Sequence, residues 1–158
     1  MGISLGSSSK KPYVGSKEVM EAYVGSQLVY QNKPPYNYAF LGSKTKYYLA
    51  TWATLSGGAA IVKNGDVYNI STSTSLNGTL TLTEVHGPVI KFTAHSDDGQ
   101  GITIEKYVGG TWYVDKNINL TKTPTLYSYT INTGTQFRLH PRFAGYTIYL
   151  DAVRYEES

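Results

Sequence analysis

The chain has no cysteine among its 158 residues, so no disulfide can staple the fold and no thiolate can serve as metal ligand or nucleophile. Stability must come from packing or from assembly. Charge is also scarce. Asp, Glu, Lys and Arg make up 16% of the residues, against the usual quarter or so, and such a polar but weakly charged surface suits sugar binding or burial against other subunits. The formal net charge of +3 is too mild to argue for a nucleic-acid partner. No apolar run approaches the ~20 residues that cross a bilayer as a helix. Met1 to Lys10 carries no apolar signal-peptide core and misses the myristoylation pattern, because Gly6 stands where Ser or Thr is wanted. The expectation is a protein made in a cytoplasm, without a visible export signal or membrane attachment.

Catalytic patterns are lacking as well. There is no Gly-x-Ser-x-Gly elbow, and no glycine cluster precedes the Lys-Ser/Thr pair of a phosphate loop. His86, His95 and His140 show no helical i,i+4 spacing and read as ordinary strand histidines. Asp97-Asp98-Gly99 reads as a turn, with too few alternating oxygen ligands for a calcium loop. Glu84, Asp97, Glu105, Asp115 and Asp151 could supply carboxylates for glycoside hydrolysis, but nothing in their spacing makes two of them face each other. We therefore expect no enzyme, no cofactor and no metal.

What is present is β-structure. Residues 1–11 are rich in Gly, Ser and Lys and read as a flexible arm. In residues 12–33, Tyr13-Val14-Gly15-Ser16 recurs ten positions later as Tyr23-Val24-Gly25-Ser26. Each copy is two strand formers followed by a turn pair, which predicts a small module of hairpins. Ser16 to Tyr23 contains good helix formers, but Gly-Ser at both ends leaves under two turns. Two short hairpins bury too little to stand alone. Tyr13, Val14, Tyr23, Val24, Leu28 and Tyr30 are accordingly candidate contacts to a partner chain or to a second copy. Residues 34–37 open with Pro34-Pro35, a stiff linker that cannot join a sheet interior.

From residue 38 to 158 strand signals repeat. They cover Tyr47 to Leu55, Ala59 to Lys63, Val67 to Ser71, Thr79 to His86, Val89 to His95, Ile102 to Val108, Trp112 to Asp115, Thr125 to Ile131, Gln136 to His140 and Tyr146 to Tyr155. Turn pairs such as Asn64-Gly65, Asn77-Gly78 and Gly109-Gly110 punctuate them. Alternation is clear in Thr79-Leu80-Thr81-Leu82-Thr83 and in Gln136-Phe137-Arg138-Leu139-His140. It is clear again in the last strand, where Ile148, Leu150 and Ala152 share a face. One dry and one wet face per strand at this spacing predicts an all-β, antiparallel two-sheet sandwich behind the small hairpin module. There are 15 tyrosines, many of them strand packing, yet aromatic rings also stack on sugar faces. Trp52 is expected inside a strand and in the core. Trp112 and Tyr113, just after a Gly-Gly turn, are the candidate glycan contacts.

Two resemblances add to this. Tyr13-Val14-Gly15-Ser16-Lys17-Glu18-Val19 and Ala22-Tyr23-Val24-Gly25-Ser26-Gln27-Leu28-Val29-Tyr30 resemble a short repeat near the ends of head and tail accessory proteins of phages infecting low-GC Gram-positive hosts. Gln136 to His140 with Tyr146 to Arg154 resembles the end of jelly-roll carbohydrate-binding modules and related galactose-binding-like domains. The second resemblance implies a jelly roll. It also makes Asp151 a weak calcium candidate, although the acidic ligand usual near the first strand has no counterpart. Together they imply a virion accessory protein, a head decoration or fibre or a tail appendage. It would be held by its N-terminal module to other virion proteins, would oligomerise on the particle, and would display a jelly roll toward a host-surface glycan. The alternative is a carbohydrate-binding module of a glycan-processing protein with no virion role.

Overall fold

A computed structural model describes residues 37–72 and 78–157, together with the backbone of four short strands between residues 13 and 31. The arm at 1–11 and the Pro34-Pro35 pair lie outside the described residues. The chain divides into two compact units, Met1–Tyr36 and Asn37–Ser158.

In the first unit β1 (Tyr13–Val14) pairs antiparallel with β2 (Lys17–Glu18), and β3 (Glu21–Val24) with β4 (Gln27–Gln31). Val14 stands opposite Lys17 and Val24 opposite Gln27, so the two pairings bracket the two Gly-Ser copies of the repeat. The register of the second pair shifts between Ala22 and Tyr23.

The second unit is a sandwich of two antiparallel sheets with no helix among the described residues, the jelly-roll arrangement expected above. Its strands are β5 (Tyr38–Gly42), β6 (Tyr47–Leu49), β7 (Ala53–Ser56), β8 (Ala60–Asn64), β9 (Val67–Ser71), β10 (Thr79–Leu82), β11 (Val89–His95), β12 (Gly101–Val108), β13 (Thr111–Asn119), β14 (Thr125–Thr130), β15 (Gln136–Pro141) and β16 (Tyr149–Glu156). One sheet runs β13-β12-β15-β10-β7. The other runs β14-β11-β16-β5-β6, with the β8–β9 hairpin joined to it through β9 and β16.

Period-two patterning explains which faces meet. Leu80 and Leu82, Phe137 and Leu139, and Ile102 and Ile104 point inward from the five-stranded sheet. Ile90, Phe92, Ala94, Leu150, Val153 and Tyr155 meet them from the other. Each large apolar side chain so buried contributes roughly 1.5–3 kcal/mol before chain entropy is set against it.

Four local readings are corrected. Tyr47 to Leu55 is not one strand but β6 and β7, and Trp52 lies in the connection between them. It is still core, 8% exposed, with ring centroids 4.5 Å from His86 and 5.6 Å from Tyr155. The expected strand from Thr79 ends at Leu82. Beyond it, the Glu84 carbonyl accepts a 2.8 Å hydrogen bond from the buried Tyr155 hydroxyl, whose pKa burial pushes upward. Asn37, assigned above to the linker, is bonded into the sandwich: its carbonyl accepts from the Tyr155 amide at 2.9 Å. Finally, Ala152 does not continue the inward face of Ile148 and Leu150. A β-bulge intervenes, Ala152 takes φ +48°, and Val153 and Tyr155 become the inward residues. At that bulge β16 changes neighbours. Tyr149 and Leu150 pair with β9, whereas Val153 and Arg154 pair with β5.

Candidate functional site

The outer face of the five-stranded sheet gathers side chains suited to holding a ligand. Register fixes three rows across it. Trp112 stands beside Tyr107, and Tyr107 opposite Gln136. Val114, Glu105, Arg138, Thr81 and Thr54 form a row across all five strands. Asn117, Thr103 and His140 form the third. At about 4.8 Å between neighbouring strands, the middle row spans roughly 19 Å.

Aromatic and charged groups are coupled within this face. The Trp112 and Tyr107 rings lie 5.1 Å apart at 48°. The Arg138 guanidinium sits over the Trp112 ring, 3.8 Å from its centroid, a cation–π contact. Glu105 lies between two basic groups, with its Oε2 3.9 Å from Arg138 and 3.6 Å from His140 Nε2. Below these, Thr103 donates to Asn117 Oδ1 at 2.7 Å and fixes the amide. Among the described strand residues Glu105 is the only carboxylate on this face. A lone carboxylate between two basic side chains is not the facing pair that glycoside hydrolysis needs. The other carboxylates considered above lie elsewhere: Asp115 points between the sheets, while Asp97 and Asp151 belong to the seven-stranded sheet and its loops.

The hairpin that carries Trp112 is anchored from beneath. A register shift at Ile104/Glu105 turns Asp115 inward. There its carboxylate meets Lys106 Nζ at 2.5 Å and accepts a short hydrogen bond from the Tyr129 hydroxyl, on β14 of the opposite sheet. The Lys106 hydrogen bond, followed by that from Tyr129, holds the Asp115 pKa below the usual carboxylate value. Burial and the same carboxylate push Tyr129 far upward. The polar triad ties the edge hairpin β12–β13 across the core.

The candidate glycan contacts separate. Trp112 lies on the outer face, half-buried under Arg138. Tyr113, the next residue along the strand, projects to the other side and is 53% exposed. Alternation makes this unavoidable, so the pair does not form one platform. Tyr107 and Arg138 were not singled out from the sequence, and Glu105 and His140 were weighed only as a carboxylate and a strand histidine. For Arg138 and His140 the signal was there in the alternation of Gln136 to His140, which puts Gln136, Arg138 and His140 on the wet face.

Asp151 serves the fork in β16. Its Oδ1 accepts from Gly42 N at 2.8 Å and from Ala152 N at 2.7 Å, so one of its two oxygens is engaged by backbone amides. The histidines are scattered. His86 packs on Trp52, His95 stacks on Tyr149 at 4.8 Å and 17°, and His140 lies beside Glu105. No group of three or more His, Cys, Asp or Glu able to hold a metal occurs among the described residues. The backbones of Tyr13, Val14, Tyr23, Val24, Leu28 and Tyr30 lie in β1, β3 and β4, and their side chains are outside the described residues.

Several solved structures that share the fold are family 29 carbohydrate-binding modules. One is a lysine-to-alanine variant of a family 29 carbohydrate-binding module, described as probing the mechanism of ligand recognition. It superposes with a TM-score of 0.57 at 12% identity over 75% of this chain and 89% of that one. A family 29 module without a named variant gives 0.56 at 12% identity over 74% and 84%. An aspartate-to-alanine variant complexed with mannohexaose gives 0.53 at 12% identity over 73% and 89%. At this identity the likeness establishes the fold and nothing finer. No protein-family model matches the sequence, and no curated protein matches it.

Proposed function

We propose that residues 37–158 form a non-catalytic carbohydrate-binding module that takes an extended glycan chain along the outer face of the five-stranded sheet. The observation that carries this is the gathering of an aromatic pair, an Arg–Glu–His cluster and threonines on that face. Rings beside fixed hydrogen-bonding groups match a sugar chain, whose faces are apolar and whose edges are hydroxyls. Arg138 must leave the Trp112 ring for a sugar to stack there, and Glu105 is placed to receive it. Family 29 modules of the same fold complexed with mannohexaose and cellulohexaose make β-linked glucans and mannans the first ligands to try. The test is isothermal calorimetry with oligosaccharides of both kinds. Trp112→Ala should weaken binding about tenfold, as expected for one lost stacking contact, and leave the melting temperature within a few degrees. Unchanged affinity in a folded variant refutes this face as the site.

A second reading concerns attachment. We infer that the Met1–Tyr36 unit fastens the protein to a phage particle, as a head or tail accessory protein that oligomerises there and displays the sandwich. Support comes from the duplicated Tyr-Val-Gly-Ser, its resemblance to phage accessory repeats, and the separate antiparallel pairings of β1–β2 and β3–β4. Replacing Tyr23 and Val24 with Ser is then expected to abolish incorporation into particles while the sandwich keeps its melting transition. Incorporation at the parental level would sink the idea.

A further inference from the structure

The opposite face of the sandwich holds a pocket that this reading leaves unused. It lies on the outer side of the seven-stranded sheet, has a volume of about 340 Å³, and is lined by Asn64, Gly65, Val67, Asn69, Thr93, His95, Pro124 and Asp151. We propose that it is a second, independent site that binds a single neutral sugar ring.

The floor is assembled by register. Thr93 on β11 stands opposite Asp151 on β16. The pairing of Leu150 with Ile70 brings Asn69 of β9 alongside Asp151. In the next row His95 stands opposite Tyr149, and their rings are stacked. Burial raises the Tyr149 pKa, and the Asp97 carboxylate bonded to it adds to the rise. The Asn64-Gly65 turn forms one wall and Pro124, just before β14, the other.

Asp151 is oriented before any ligand arrives. Its Oδ1 is held by the amides of Gly42 and Ala152, which leaves Oδ2 as the oxygen free to accept from a ligand. Asn69 spends one amide proton on the Val67 carbonyl at 3.0 Å, and its Oδ1 and second proton remain. The hydroxyl of Thr93 and the imidazole of His95 add donors and acceptors. The residue that makes this geometry possible is Ala152, whose φ of +48° is a strained value for a side chain with a Cβ. Such strain persists where the surroundings over-determine it, and it gathers at binding sites.

The chemistry of the lining selects the ligand. Among the described residues no lysine or arginine lines the pocket, which argues against an anion. One carboxylate is far from the six to eight oxygens that calcium takes. A carboxylate, a carboxamide, a hydroxyl and an imidazole between apolar Val67 and Pro124 suit a molecule whose groups each donate and accept, with apolar C–H patches between them. That describes a pyranose. The volume lies at the small end of ligand pockets, roughly 300–1,000 Å³, and so fits one ring rather than a chain.

The test uses the whole 158-residue chain, labelled with nitrogen-15 and titrated with glucose, galactose, mannose, fucose and N-acetylglucosamine to about 50 mM, a range that covers weak single-ring affinities. One of these should shift the amides of Gly65, Asn69, Thr93, His95 and Ala152 in a saturating manner, and leave those of residues 105–114 and 136–140 in place. Asn69→Ala and Asp151→Asn should each weaken that binding at least about tenfold, the loss of one hydrogen bond to a held polar group, while Trp112→Ala leaves it unchanged. If Asp151→Asn disturbs the fork and does not fold, Asn69→Ala decides. The proposal is overturned if no monosaccharide shifts the pocket amides, if calcium or phosphate shifts them instead, or if Asn69→Ala binds as the parent does. Oligosaccharide shifts confined to residues 105–114 and 136–140 report on the other face alone, so either site can fail without the other.

Discussion

Replacing Gly42 with alanine should open the seam where β16 changes partners. A Cβ built on Gly42 would lie 1.8 Å from the Tyr68 carbonyl oxygen and 3.1 Å from Asp151 Oδ1. The first contact is with backbone and cannot be relieved by a side-chain rotation. The Gly42–Tyr68 approach must widen by roughly 1.5 Å to reach ordinary contact distance. That movement strains two hydrogen bonds, Gly42 N to Asp151 Oδ1 at 2.8 Å and Tyr68 N to the Ser43 carbonyl at 3.1 Å. A charge-assisted bond is worth about 1.5–3 kcal/mol and a neutral one about 0.5–1.5, so the loss should be about 2–4 kcal/mol. For a unit of this size that corresponds to a fall in melting temperature of roughly 8–15 °C, read by circular dichroism or calorimetry. Gly65→Ala is the matched control. Gly65 has φ +60° with nothing within 4 Å of a Cβ, so only the conformational cost of about 1 kcal/mol applies. If Gly42→Ala melts within about 3 °C of the parent, the close approach does not hold the fork and the reasoning is wrong.

Further tests address the core and the inter-sheet triad. Phe137→Ala, at a fully buried position packed edge-on to Tyr129, should cost about 3–5 kcal/mol in urea unfolding, and a loss below about 1 kcal/mol would mean the cavity collapses. Asp115→Asn should cost about 1–3 kcal/mol at neutral pH, because Lys106 and Tyr129 lose a charged acceptor. The folded-state pKa of Asp115 is lowered, so its contribution is complete above the ordinary carboxylate value near pH 4 and disappears as pH falls through the lowered value. Glu156, lowered by Lys91 and Arg154, acts in the same direction. Parental stability should therefore decline below about pH 4, and the Asp115→Asn variant should decline less. Parallel declines would rule out this role for Asp115.

How much of this was legible in the sequence depends on whether the information is local. Val67 to Ser71 and Val89 to His95 appear as strands with the expected bounds, because alternation and Asn-Gly turns are written in consecutive residues. Tyr38–Gly42 was not read as a strand: Ala39 and Phe40 are both fully buried, which erases the alternation. The bulge at Ala152 was invisible for a related reason. It is imposed by pairing with β5 and β9, partners about 80 to 115 residues away, and no local signal marks it. Residue type and a preceding turn drew attention to Trp112, but Arg138 comes over its ring through strand register alone. Tyr113 stands on the opposite side because a period of two assigns neighbours to opposite sides.

The arginine that roofs Trp112 bears on how the protein behaves with no ligand present. A bare indole on a flat sheet face is a sticky patch, liable to draw in other chains or denatured protein. With a guanidinium 3.8 Å above its centroid, the ring shows neighbouring molecules a hydrated cation instead of an oily plane. Removing Arg138 would then bare the ring and raise the tendency of the protein to self-associate at high concentration, while under the proposed function it would also ease access for a sugar.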